Sequence, residues 1–140
     1  MLSHIGLILG PQLSSSSSIF GPSDPHWEET TRRYDPHSAP RIRLVVQPGA
    51  EEDVPVIVRY ANKHGIPFYA VNTGHGSTTS QTAFDGIQTD LSILMSVRIS
   101  SGGETAWIQG GSTVEVTVDE LWALGYVTSK QPYSALVLVS

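Results

Sequence analysis

The sequence predicts an α+β domain that opens on a parallel strand–helix–strand unit. Three observations carry this. A β-branched apolar run ends in Pro48-Gly49, an amphipathic segment stops at Gly65, and a second apolar run, "PFYAVN", follows at once. Two strands joined through a helix need a crossover and lie parallel in one sheet. The strand "IRLVVQP" comes first, and its lack of alternation marks it as buried. Val54, Ile57, Val58 and Ala61 recur at i, i+3, i+4 and i+7, the apolar face of a helix. Glu51, Glu52 and Asp53 stand at its start, where negative charge complements the helix dipole. Pro55 has no backbone donor, so the helix begins nearer Asp53 than Ala50. Pro67 keeps it from continuing past Gly65. "GIQTD" with Leu91 reads as a third strand. "TAWIQGG" reads as a fourth, antiparallel to a strand near Val97-Arg98-Ile99. Ser112-Thr113-Val114-Glu115 has the form of a capping box. The helix it opens is expected to bury Val114, Val118, Leu121 and Trp122 and to stop at Gly125. Its β-branched residues make it a poor helix former on propensity alone.

A chain of 140 residues has room for one modest domain. Its net charge of −5 argues against a nucleic-acid partner, which requires clustered Lys and Arg. The one basic cluster, Arg32-Arg33 with Arg41 and Arg43, is interrupted by Glu28, Glu29 and Asp35 and reads as solvated surface. The absence of cysteine removes disulfides, thiolate metal sites and thiol nucleophiles together. No stretch approaches the ~20 apolar residues of a membrane span. "IGLILG" is short for a signal core and lacks a preceding Lys or Arg. These features lean towards a cytoplasmic protein with no membrane partner.

Residues 1–40 are expected to be a loosely ordered lead-in. The serine run at 14–18 has no side chain to bury, and Trp27 and Tyr34 are expected to pin the segment to the body. Two "DPH" triplets raise a metal site through His26 and His37, but Asp-Pro is turn chemistry, and that reading is preferred.

The chemistry-bearing stretch is "NTGHGST", which follows the second strand. Ligands of open α/β units gather beyond the carboxyl ends of parallel strands. Gly74 and Gly76 permit positive φ, and successive N–H groups can then form an anion nest, with Ser77 and Thr78 hydroxyls beside it. The loop has no Lys and is not a G-x-G-x-x-G fingerprint. Local chemistry leaves two readings level: a turn holding an exposed histidine, or a loop that wraps an anion. His75 is open to three roles: metal ligand, general base, or nucleophile attached to a cofactor.

Three stretches carry a family resemblance: "WEETTRRYDPHSAPRIRLVVQPGAEEDVPVIVRYANKHGIPFYAVNTGHGSTT", "GIQTDLSILMSVRI" and "AWIQGGSTVEVTVDELWALGY". In this order they resemble the N-terminal part of the FAD-binding domain of PCMH-type flavoenzymes. These are the vanillyl-alcohol oxidase and berberine-bridge-enzyme-like family, here in the flavour of fungal oxygen-dependent FAD-linked oxidoreductases. The resemblance implies that Asn72, Thr73, Gly74, His75, Gly76 and Ser77 hold the FAD pyrophosphate. It implies that His75 occupies the position of covalent attachment to the flavin 8α carbon. It further implies oxidation of a small organic substrate, with oxygen as acceptor. No catalytic base is nominated, and Tyr60, Tyr69 and Tyr126 are read as packing residues.

The family's usual first loop glycine is Thr73 here, which predicts a reshaped nest, since β-branched residues resist positive φ. The pattern stops after Tyr126, so the chain is expected to be a truncated N-terminal piece. Residues 1–40 are then the lead-in, 41–127 a partial FAD-binding PCMH-type domain, and 128–140 a divergent tail whose "SALVLVS" would be an unpaired edge. On this reading the isolated chain is inactive. The alternative is a non-catalytic relic or interaction module that keeps the βαβ scaffold.

Overall fold

The computed structural model of the chain describes residues 2–76, 78–129 and 137–139. A helix α1 (Leu2–Leu9) and a strand β1 (Ser18–Phe20) precede the short helix α2 (Trp27–Thr31). The predicted unit follows as β2 (Arg41–Gln47), α3 (Asp53–Lys63) and β3 (Phe68–Val71), then β4 (Asp85–Asp90). These strands form one sheet in the order β1-β2-β4-β3. β2 and β3 are both parallel to β4, which lies between them, and β1 is antiparallel to β2. The strand–helix–strand unit is therefore present, but its two strands are separated by one place. The insertion puts β4 at the centre, and Gly86 to Asp90 are all buried there.

One sheet face carries the core. Leu44, Val46 and Ile87 from the strands meet Ile57 and Tyr60 of α3 and Ile5 and Leu9 of α1. Ile57 and Ala61 are buried as their spacing predicts, whereas Val54 and Val58 are only half-buried. Gly65 adopts φ +62 and closes the helix in the left-handed region that glycine tolerates.

The segment before Arg41 carries more structure than its composition predicts. Asp53 is the reason: its carboxylate accepts from the Ser14 N–H (2.7 Å), the Ser14 hydroxyl (2.6 Å) and the Ser17 hydroxyl (2.8 Å). A serine run has no apolar surface to bury, but it can satisfy a buried carboxylate, and here it does. Tyr34 does not pin the segment; it is 80% exposed, and the buried residue beside it is Arg33. The two Asp-Pro turns behave as turn chemistry. Asp24 accepts from the His26 N–H, and Asp35 from the His37 N–H and the Ser38 hydroxyl.

Beyond the sheet, β5 (Val97–Ile99) pairs antiparallel with β6 (Ala106–Ile108), as expected. Glu51 ties this hairpin to the start of α3, accepting from Trp107 Nε1 (3.1 Å) and Gln109 Nε2 (2.8 Å). Helix α4 (Val114–Ala123) starts one residue later than the predicted box: Thr113, not Ser112, is the N-cap, and its hydroxyl accepts from the Val116 N–H. Its buried positions are Thr117 and Leu121, while Val114, Val118 and Trp122 are exposed. The apolar stripe of α4 is wide, and the described residues cover only one edge of it. Gly125 ends the helix at φ +82. In the tail, β7 (Val127–Ser129) pairs with β8 (Val137–Val139), so this part of the terminal run has a strand partner. Residues 130–136 and Ser140 lie outside the described residues.

Candidate functional site

β2, β4 and β3 run parallel, so their carboxyl ends open on the same edge. A cavity of about 490 Å³ lies there, lined by Arg33, Asn72, Thr73, Gly74, Asp90 and Ser92 among others. The loop predicted from sequence thus sits at the carboxyl edge, where an open sheet takes its ligand.

Within the loop, Gly74 makes the left-handed turn at φ +70. Gly76 is not in that region, contrary to the expectation that both glycines supply positive φ. One left-handed residue suffices to turn the chain away from β3. Asn72 is half-buried, and its Nδ2 donates to the Ser112 carbonyl (3.1 Å), joining the loop to the start of α4. The Gly74 carbonyl accepts from the Tyr34 N–H (3.3 Å), which fastens the loop to the lead-in segment. Thr73, His75 and Gly76 are exposed, and Ser77 lies outside the described residues. The His75 ring meets the Tyr34 ring edge-on, with centroids 5.9 Å apart and planes at 71°. Tyr34 therefore supports His75 at the surface instead of anchoring the segment in the core. Among the described residues no three His, Asp or Glu side chains form a metal-ligating group.

Sequence reasoning missed two residues at this edge. Arg33, read as surface, is 8% exposed and lines the cavity. Ser112, read as a cap, has a buried hydroxyl that is the one buried side-chain polar atom without a partner among the described residues. A buried polar group without a bond asks for a ligand or a water. Nothing in the spacing marks Arg33, but a helix start with two adjacent hydroxyl residues could have flagged Ser112, since only one can cap. Gly111 adds a steric signal: a Cβ there would lie 1.7 Å from the Leu91 carbonyl oxygen, so only glycine lets these backbones meet.

The residues present fit a phosphate-bearing cofactor. A turn at Gly74 and a buried cation at Arg33 line one cavity with Asn72, whose amide in turn holds the carbonyl of Ser112, the residue with the orphaned hydroxyl. That donor set belongs to the class of nucleotide-cofactor domains. The chain belongs to the FAD binding domain family, whose family model matches residues 42–136, and the cofactor of that family is FAD. Curated relatives are fungal FAD-linked oxidoreductases. That of Penicillium roqueforti, anuG, is 47% identical over 121 residues, covering 86% of this chain and 24% of the relative. That of Pyricularia oryzae, OXR2, is 45% identical over 122 residues, with the same shares. The chain thus spans about a quarter of the length of the relatives it matches. Solved flavoenzymes share the fold. 6-Hydroxy-D-nicotine oxidase from Arthrobacter nicotinovorans superposes with a TM-score of 0.70 at 26% identity, over 81% of this chain and 25% of that one. Glucooligosaccharide oxidase from Acremonium strictum gives a TM-score of 0.76 at 19% identity, over 91% and 26%.

Proposed function

We propose that the chain is the pyrophosphate-holding N-terminal part of an FAD-linked oxidoreductase that oxidises a small organic substrate with oxygen as acceptor. The observation that carries this reading is the position of Asn72-Thr73-Gly74-His75-Gly76 at the carboxyl edge of three parallel strands, where Asn72, Thr73 and Gly74 line a cavity. When bound, FAD supplies the hydride acceptor and the site of oxygen reduction. The protein's own residues bind and orient. Asn72 to Ser77 would hold the pyrophosphate, with the Asn72 amide held against the Ser112 carbonyl. His75 stands exposed beside Tyr34 and is the residue proposed for covalent flavin attachment. Residues 41–127 form the cofactor-binding part, 1–40 lead into it, and 128–140 follow as a tail.

A chain that spans a quarter of its relatives' length supplies only part of the cofactor's surroundings. Taken alone, it is expected to hold FAD weakly and to turn over no substrate. The test is purification of the 140-residue chain with excess FAD, followed by gel filtration and acid precipitation. Flavin absorbance lost on the column fits the proposal. Yellow colour that survives acid would overturn the weak-holding reading, and its loss in His75→Ala would identify the attachment residue.

A further inference from the structure

We propose that Arg33 is the fixed cation of the Asn72–Gly76 loop: it lies beside the turn at Gly74 and supplies the positive charge that the loop itself lacks. The proposal rests on the pyrophosphate reading above and adds a residue to it from outside the loop. The loop carries no Lys or Arg; the cavity beside it is lined by two arginines, Arg32 and Arg33, of which Arg32 is exposed and Arg33 is buried.

Arg33 reaches the site from the turn after α2. Its NH1 donates to the carbonyls of Thr31 (3.0 Å) and Arg32 (2.8 Å), and its NH2 to the Tyr69 hydroxyl and Gln88 Oε1. Gln88 is itself oriented, because its Nε2 donates to the Thr30 carbonyl (2.7 Å). The four terminal N–H groups are thus committed, which fixes the guanidinium plane. The Nε–H has no acceptor among the described residues. All four acceptors are neutral, and no carboxylate pairs with Arg33 among the described residues. Asp90 lines the same cavity, but its oxygens accept from the Ser92 N–H and Gln47 Nε2. A buried charge without a counterion is unfavourable, and an anion bound nearby offsets that.

The position is also specific. A Cβ at Gly74 would lie 3.1 Å from the Arg32 carbonyl oxygen, 3.5 Å from Arg33 Cδ and 3.7 Å from its NH1, so the Arg32–Arg33 segment lies alongside the turn. Arg33 is accordingly a positioning residue whose charge also acts on the bound anion. The attraction between this charge and a bound anion is sensitive to salt.

The experiment is a ¹H–¹⁵N NMR titration of the 140-residue chain with ADP, using adenosine as the control without phosphate. ADP, but not adenosine, is expected to shift the amides of residues 72–76 and the Arg33 Nε–H signal. Arg33→Gln is expected to weaken ADP binding by about tenfold, the loss of one charge-assisted contact. Arg33→Lys should recover part of it, and added salt should weaken the wild type more than Arg33→Gln. If the loop amides shift but the Arg33 signal does not, and Arg33→Gln binds with equal affinity and equal salt dependence, the role of Arg33 is overturned while the loop reading stands. If ADP moves no loop amide in the wild type, the loop reading falls and Arg33 with it. Should Arg33→Gln fail to fold, the wild-type Nε–H signal and Arg33→Lys decide the matter.

Discussion

Asp53 collects five hydrogen bonds on one carboxylate: from the Ser14 N–H and hydroxyl, the Ser17 hydroxyl, and the N–H groups of Gly49 and Ala50. Burial by itself would raise this carboxyl. The bonds from Ser14, Ser17 and Ala50 outweigh it, and the group titrates below its ordinary value. A carboxyl held low in the folded state stabilises it above the unfolded-state pKa of about 3.9, and that stability is lost as pH falls through the folded-state value. Urea unfolding of the wild type should therefore lose stability on going from pH 5 to below pH ~4, and Asp53→Asn should lose less. At neutral pH Asp53→Asn should cost about 1–3 kcal/mol, because one of the two accepting oxygens becomes an NH2 that faces donors. The acidic cluster at 51–53 was legible in the sequence as a helix start. Its partner in the serine run was not, because that contact joins residues 36 and 39 positions apart. Gly111 gives a second residue-scale prediction: Gly111→Ala would force a Cβ into the Leu91 carbonyl and should lower the unfolding midpoint sharply in a thermal melt.

Helix α4 tests the capping assignment at the scale of an element. Thr113→Ala removes the hydroxyl that accepts from Val116 and should cost about 1 kcal/mol. Ser112→Ala removes a buried hydroxyl without a protein partner among the described residues and should cost less, or stabilise. Chemical denaturation of the two variants side by side checks this; equal losses would return the cap to Ser112. The existence of α3, α4 and the β5–β6 hairpin was readable from periodicity and turn residues. The one-residue slip of the cap was not, since Ser and Thr are both good caps and local geometry chooses between them. The order β2-β4-β3 was also beyond the sequence, because a βαβ pattern fixes parallel direction without saying which strand fills the gap.

At the scale of the molecule, the wide apolar stripe of α4 leaves Val114 (55%), Val118 (38%) and Trp122 (72%) exposed, with Leu124 and Val127 nearby. Contiguous exposed apolar surface of this kind promotes association. The 140-residue chain should therefore run above its monomer mass in sedimentation at high concentration, and the double variant Val118→Glu/Trp122→Glu should run closer to it. Unchanged sedimentation would dismiss this surface as the cause. Sequence by itself determined the types of the elements between Arg41 and Ala123, the parallel unit, the position of "NTGHG" after a strand and, by resemblance, the flavin family. These are local or ordered features, written in spacing and in glycine and proline. Only the tertiary structure decided that Arg33 is buried beside Gly74, that Tyr34 meets His75, that Ser112 is left without a partner among the described residues, and that three of the four predicted α4 stripe positions are exposed. Each of these depends on which distant segments meet, and burial is a property of that meeting, so one-dimensional pattern cannot carry it.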